Sequence, residues 1–177
     1  MLSGVDPRRE AVPSTVLVGG LDRAALRSAL RARDVQLNRA AEVLFDDQRF
    51  ATSSREYHVQ IARLSVAELG FAHGATYAQL TIGATNLGFT QCPLELGPHL
   101  RLRLSQLPEL PDVPSAPRSA PPGSLTIASH PLDDADETPK GFYLRMISGA
   151  LWLRGYWAPQ THVWNPNDLL VFARTAP

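Results

Sequence analysis

The stretch GFTQCPLELGPHLRLRL, Gly88 to Leu104, gathers the residues best suited to chemistry. Cys92 is the single cysteine, Glu95 follows three positions on, and His99 four after that. Arg101 and Arg103 then alternate with leucines. A thiol nucleophile needs a base within hydrogen-bond reach and surroundings that favour thiolate. Cys92 precedes Pro93, a residue type favoured at the first position of a helix, and a helix N-terminus lowers a thiol pKa. Cys92, Glu95 and His99 are therefore the candidate catalytic residues of a hydrolase or transferase. The same residues also fit a small buried thiol in a rigid turn, Pro93 to Leu96, closed by Gly97–Pro98. That second reading is the expectation. As a metal site, C-x2-E-x3-H offers three mixed ligands and no second cysteine, so no metal and no cofactor are assigned.

The other titratable groups carry weaker patterns. His58, His73, His130 and His162 form no H-E-x-x-H or H-x-x-x-H spacing. The run Asp133, Asp134, Asp136, Glu137 lacks the D-x-[DN]-x-[DN]-G order of a calcium loop and reads as a solvated acidic loop.

The segment FYLRMISGALWLRGYW reads as a β-hairpin turning at Ser148–Gly149. Successive side chains of a strand alternate between faces. Phe142, Leu144, Met146, Leu151 and Leu153 then share a core face. Tyr143, Arg145, Ile147, Trp152, Arg154 and Tyr156 share the other. Arginine beside tyrosine and tryptophan is a stacking pattern, and these residue types dominate binding hot spots. If His99 to Leu104 is a strand of the same sheet with its leucines inward, His99, Arg101 and Arg103 join that face. Arg101, Arg103, Tyr143, Arg145, Trp152, Arg154 and Tyr156 are the candidate binding surface. Ordinary cross-strand stacking, or a second small core under the two N-terminal helices, is the competing account.

The positioning elements follow from local grammar. Residues 1–18 read as a flexible tail. Residues 19–177 read as one α+β domain. Within it, 19–50 form a helical hairpin, with Asp22 and Asn38 as caps. Residues 56–104 form a strand, a helix and a second strand. Ser65 with Glu68, and Thr76 with Gln79, match the capping-box spacing, and Gly88 ends the second of these helices. Residues 105–123 hold six prolines and read as a long inserted loop, because proline removes backbone donors. Residues 124–177 are β-rich, ending in a turn at Asn165–Asp168 and a last strand. Trp164 is expected to pack on the hairpin. The expected architecture is α+β, with N-terminal helices packed on a mainly antiparallel sheet.

Composition narrows the function classes. The 177 residues suit one domain, and an apolar fraction of 44% supplies a core. Seventeen basic residues, sixteen of them arginine, balance seventeen acidic ones. A net charge of zero supplies no field to draw in nucleic acid or an anionic membrane. A single cysteine permits no internal disulfide. No apolar run is long enough to span a bilayer, and the first twenty residues place charges where a leader would be apolar. Cytoplasm of the bacterial type is the expected location.

The segments VAELGFAHGATYAQLTIGATNLGFTQCPLELGPHLRL, PKGFYLR, WLRGY and VWNPNDLLVF resemble a group of short bacterial proteins of uncharacterised function, over residues 20–174. Some members of that group carry the name helicase. This chain has no G-x-x-x-x-G-K-[ST] loop, and its one lysine, Lys140, lies in DETPKGFY. The resemblance implies a compact fold and supplies no catalytic residues. Three readings follow. The first is a non-enzymatic protein that binds a macromolecular partner, a protein, through the arginine and aromatic face. The second is an enzyme using Cys92 with a histidine. The third is single-stranded nucleic-acid binding by stacking on Tyr143, Trp152 and Tyr156. The sequence does not fix the oligomeric state.

Overall fold

A computed structural model describes residues 12–105, 107 and 120–175. Eight of the strands form one mixed sheet. The first strand, β1 (Thr15–Val18), pairs antiparallel with β3 (Tyr57–Ser65). The tail expected over 1–18 thus gives way at Thr15, because Val16 and Val18 are fully buried. Residues 1–11 of that tail lie outside the described residues, as do Gln106 and 108–119 of the proline-rich segment.

Helix α1 (Arg23–Ala32) starts where the Asp22 side chain accepts from the Ala25 amide, and it buries Leu26 and Leu30. Helix α2 (Arg39–Asp46) is capped in the same way by Asn38 and buries Ala41, Leu44 and Phe45. The link between them is not a bare turn. It forms β2 (Gln36–Leu37), which adds in parallel to the edge of β8 (Ala150–Tyr156).

β3 runs antiparallel to the last strand, β10 (Leu169–Arg174). β10 pairs on its other side with β6 (Leu125–Ile127) in parallel and with β5 (Phe89–Thr90) antiparallel. From β6 the sheet continues antiparallel through β7 (Gly141–Ile147) to β8. The β7–β8 hairpin turns at Ser148 and Gly149, both at positive φ (50° and 76°), as a tight primed turn requires. A separate pair, β4 (Ala75–Thr76) with β9 (Val163–Trp164), stands beside helix α3 (Tyr77–Asn86). Thr76 and Gln79 form the expected capping box of α3, and Ser65 and Glu68 form theirs in the turn after β3.

The α+β class holds, but two finer expectations do not. The sheet is mixed, since β10–β6 and β2–β8 are parallel. The helices are spread along the chain, because α3 and a fourth helix, α4 (Leu96–Arg103), come later. α4 occupies the stretch expected to be a strand. The alternation of leucine and arginine has the strand period, yet the tight turn after Pro93 runs straight on into helix. Pro98 is harmless there because it stands in the first turn, where an amide has no partner in any case. Leu96 to Arg101 are all buried, so this helix runs inside the core rather than along its surface.

The sheet is covered on both faces. On one side, α1, α2 and α4 close a core that includes Leu26, Phe45, Leu100, Phe142 and Val171. On the other, α3 and the β4–β9 pair close a second core around Leu80, Trp164, Leu170 and Phe172.

The edge of β8 shows how closely the first layer is fitted. The Asn38 side-chain amide donates to the Gly155 carbonyl (2.9 Å), and its oxygen accepts from the Gly155 amide (2.8 Å). The cap of α2 therefore takes the place of a neighbouring strand. A Cβ on Gly155 would lie 2.6 Å from the Ala40 carbonyl carbon, a backbone atom that cannot swing aside. Gly155→Ala is expected to destabilise the fold by about 1–3 kcal/mol. A lowered urea midpoint is the expected reading; an unchanged midpoint would show that α2 is free to move off the sheet.

Candidate functional site

Cys92 does not face a base. Its amide donates to the Ala128 carbonyl (2.6 Å), and its Sγ points to the Val171 carbonyl (3.4 Å) in the core. The residue is 2% exposed, and burial pushes the thiol pKa far above its ordinary value. The helix that follows begins at Leu96, too far along to act on this thiol as a cap.

Glu95 and His99 instead hold backbone segments together. The Glu95 carboxylate accepts from the Tyr57 hydroxyl (2.9 Å) and from the Ser53 amide (3.1 and 3.2 Å). His99 Nε2 accepts from the Gly19 amide at 3.1 Å. The same nitrogen lies 4.0 Å from Glu95 Oε2. A ring nitrogen that accepts a hydrogen bond carries no proton, so this contact is not an ion pair. Burial lowers the His99 pKa, the Glu95 carboxylate works against that shift, Arg103 adds to it, and Glu56 opposes it. These bonds tie the start of α4 to the loop before α1, to the segment before β3 and to β3 itself.

Arg101 and Arg103 do not join the hairpin face. Helical geometry turns Arg101 inward, where it is 1% exposed and donates to the Leu104 carbonyl. Burial lowers its pKa to about 10. Arg103 is exposed on the same helix. The hairpin residues alternate as expected, with Tyr143 opposite Arg154 and Arg145 opposite Trp152. Tyr143 and Arg145 are buried, however, at 8% and 7% exposure. Arg154 donates from Nε to the Tyr143 hydroxyl (2.8 Å), and its guanidinium lies 4.9 Å from the Trp152 ring centre. The stacking pattern is thus used within the sheet. Of the seven expected binding residues, Tyr156 alone borders the cleft described next.

That cleft measures about 360 Å³ and opens where α3 and β9 meet the end of β8. Tyr77, Tyr156 and Trp164 form its aromatic lining, with Gln91, Asp134 and Lys140 among its polar groups. Tyr156 meets Trp164 edge-on (5.6 Å, 89°), which places Trp164 on the hairpin as expected, and Tyr77 is tilted at 45° to Trp164 (6.5 Å). The Tyr77 hydroxyl donates to the Ser129 carbonyl (2.7 Å) and accepts from Gln91 (3.3 Å). Lys140 is fixed by the Asp133 and Ala135 carbonyls (3.2 and 2.6 Å). Burial raises the pKa of both tyrosines, so their hydroxyls stay protonated. The arrangement can grip an apolar or ring-bearing group and offer it hydrogen-bond donors. A second cleft of about 380 Å³ adjoins Asp168, whose carboxylate is already engaged by the Asn165 and Ala120 amides.

The sequence pointed to the hairpin and not to Tyr77, Gln91 or Lys140. Tyr77 follows directly on its capping threonine, and Lys140 is the one lysine among sixteen arginines; these were the available signals. Within the acidic run Asp133 accepts from Arg49, Thr138 and the Ala135 amide, while Asp134, Asp136 and Glu137 are exposed. Among the described residues no cluster of three His, Cys, Asp or Glu could hold a metal. No helix among them is long and apolar enough to cross a membrane. Compared with family models, with curated proteins and with solved structures, the chain matches none of them.

Native Cys92 is expected to stay unmodified by iodoacetamide at pH 8 and to react fully once guanidinium unfolds the chain; rapid native alkylation would place it at a surface. The lowered His99 pKa has a definite sign. The unfolded chain, with an ordinary histidine pKa of about 6.5, binds more protons than the folded one, so stability falls as pH drops below that value. His99→Gln keeps an acceptor for Gly19 and removes the titration. Its urea midpoint is expected to vary less between pH 7.5 and 5.5 than that of the wild type, and equal variation would refute the assignment.

Proposed function

We propose that this chain is a non-enzymatic protein of the bacterial cytoplasm that binds a protein partner, and that the Tyr77–Tyr156–Trp164 cleft is where it does so. The observation carrying this reading is an open cleft lined by three large aromatic rings, Tyr77, Tyr156 and Trp164. Tyrosine and tryptophan are the residues that most often anchor protein interfaces. The surroundings favour the same reading. Trp157 is 48% exposed and Val163 45%, and both adjoin cleft-lining residues in sequence. A single buried thiol suits a reducing compartment.

The enzymatic reading loses support from the burial of Cys92 and from the use of His99 as a backbone tie. Single-stranded nucleic-acid binding loses support from zero net charge and from rings set at steep angles. Successive bases stack on exposed parallel faces along a basic groove, and neither feature borders this cleft.

Thr81 lines the cleft from the surface of α3. Thr81→Arg should leave the circular dichroism and urea midpoint close to wild type, while capture of the partner from host cells falls at least about tenfold. Trp152→Ala/Arg154→Ala should retain capture. Should Thr81→Arg fold normally and keep every partner at the wild-type level, the cleft is not the binding site.

A further inference from the structure

We propose that the cleft at Tyr77, Tyr156 and Trp164 is a binding site for a small aromatic carboxylate, a molecule of one or two rings. This goes beyond the protein-binding reading above but uses the same rings, so such a ligand would shut the partner out. Three observations carry it: the size of the cleft, a lining held in place before anything binds, and the charge that faces it.

The cleft measures about 360 Å³. Small-molecule sites span roughly 300–1,000 Å³, so this one has room for one or two rings. Its apolar lining is Tyr77, Tyr156 and Trp164, with Pro131 and Pro159 beside them. The three rings stand tilted or edge-on to one another. An inserted ring can meet them in the offset or edge contacts that aromatic pairs prefer.

The lining is already ordered. The Tyr77 hydroxyl is fixed between the Ser129 carbonyl (2.7 Å) and the Gln91 amide (3.3 Å), and Gln91 is held by the same carbonyl (3.2 Å). Trp164 is fixed by its backbone pairing with Ala75 and by the His162 ring, edge-on at 5.2 Å. Side chains ordered on folding need not be ordered again by a ligand, which is how preorganisation raises affinity.

The charge is one-sided where burial makes it count. Lys140 is half-buried, and its ammonium donates to the Asp133 and Ala135 carbonyls (3.2 and 2.6 Å). An ammonium has three N–H donors, and the third meets no acceptor among the described residues. The Tyr156 hydroxyl keeps its proton and forms no hydrogen bond to a described residue. A carboxylate supplies the acceptor that both lack, and its bond to an ammonium is charge-assisted. Asp134, the one acidic residue of the lining, is exposed, so water and salt screen its field.

Saturation-transfer NMR on the full chain tests this, with benzoate as the probe and benzylamine as a like ring carrying the opposite charge. Benzoate is expected to bind, and benzylamine at least about tenfold more weakly. Lys140→Met keeps the stem and removes the ammonium, and should weaken benzoate by at least about tenfold. Thr81→Glu sets a carboxylate on the α3 wall of the cleft. It should weaken benzoate and strengthen benzylamine, a reversal that no unfolded protein can give. Benzoate without saturation transfer at tens of millimolar overturns the proposal. So does benzoate bound no more tightly than benzylamine, or equally by wild type and either variant. The protein-binding reading is judged separately, by adding benzoate during capture from host cells. Bound benzoate that leaves capture unchanged puts the partner elsewhere, whereas capture lost in Thr81→Arg with no benzoate bound by wild type keeps the partner and removes the ligand.

Discussion

Strand β10 is buried on both sides, and most of the molecule is arranged by that fact. Its side chains alternate between two cores: Val171 and Ala173 enter one, Leu170 and Phe172 the other. A sheet solvated on one face would need a single covering layer. This one needs two, because a strand reading LLVFA has no polar face to give to water. Helices α1, α2 and α4 supply the first layer. Helix α3 with the β4–β9 pair supplies the second, which is smaller. Full burial of an aliphatic or aromatic side chain of this kind contributes roughly 1.5–3 kcal/mol, so the residues of β10 hold both layers in place together.

The candidate site follows from the unequal size of the layers. The first layer reaches the far edge of the sheet, where Asn38 closes the backbone of β8 at Gly155. The second covers the β3–β10–β6 region and stops at Tyr156, the last residue of β8. Trp164 is the end of its core and also the wall of the cleft. The outer hairpin face beyond that point depends on its own stacking, with Arg154 held between Trp152 and Tyr143. The molecule thus spends its arginine–aromatic contacts on the sheet and leaves an aromatic cleft at the boundary of the second layer.

Much of this was legible in the residues. The β7–β8 hairpin, its turn and its two faces followed from alternation and from Ser148–Gly149. The caps at Asp22, Asn38 and Thr76 followed from residue type and spacing. The misreading of His99–Leu104 has a plain physical source. A helix whose residues 96–101 are all buried shows no polar stripe there, so the period of 3.6 disappears, and a chance alternation of Leu and Arg imitates a strand. The same residues explain why Arg101 looked available: burial of a guanidinium depends on tertiary packing, which local pattern does not encode. The cleft was hidden for a related reason. Tyr77, Gln91, Lys140, Tyr156 and Trp164 are far apart in sequence and share no motif. They meet because β10 pairs with β3 and β6, bringing the start of α3 beside the end of β8.

Recognition at Trp164 and its neighbours, and not on the Trp152–Arg154 stack, makes the tryptophans respond differently when the partner binds. The chain has three tryptophans, at 152, 157 and 164. Labelled with 5-fluorotryptophan, the protein gives one fluorine resonance for each. On addition of the captured partner the Trp164 and Trp157 resonances are expected to shift while the Trp152 resonance stays in place. A Trp152 resonance that moves while Trp164 remains fixed would contradict recognition at Trp164.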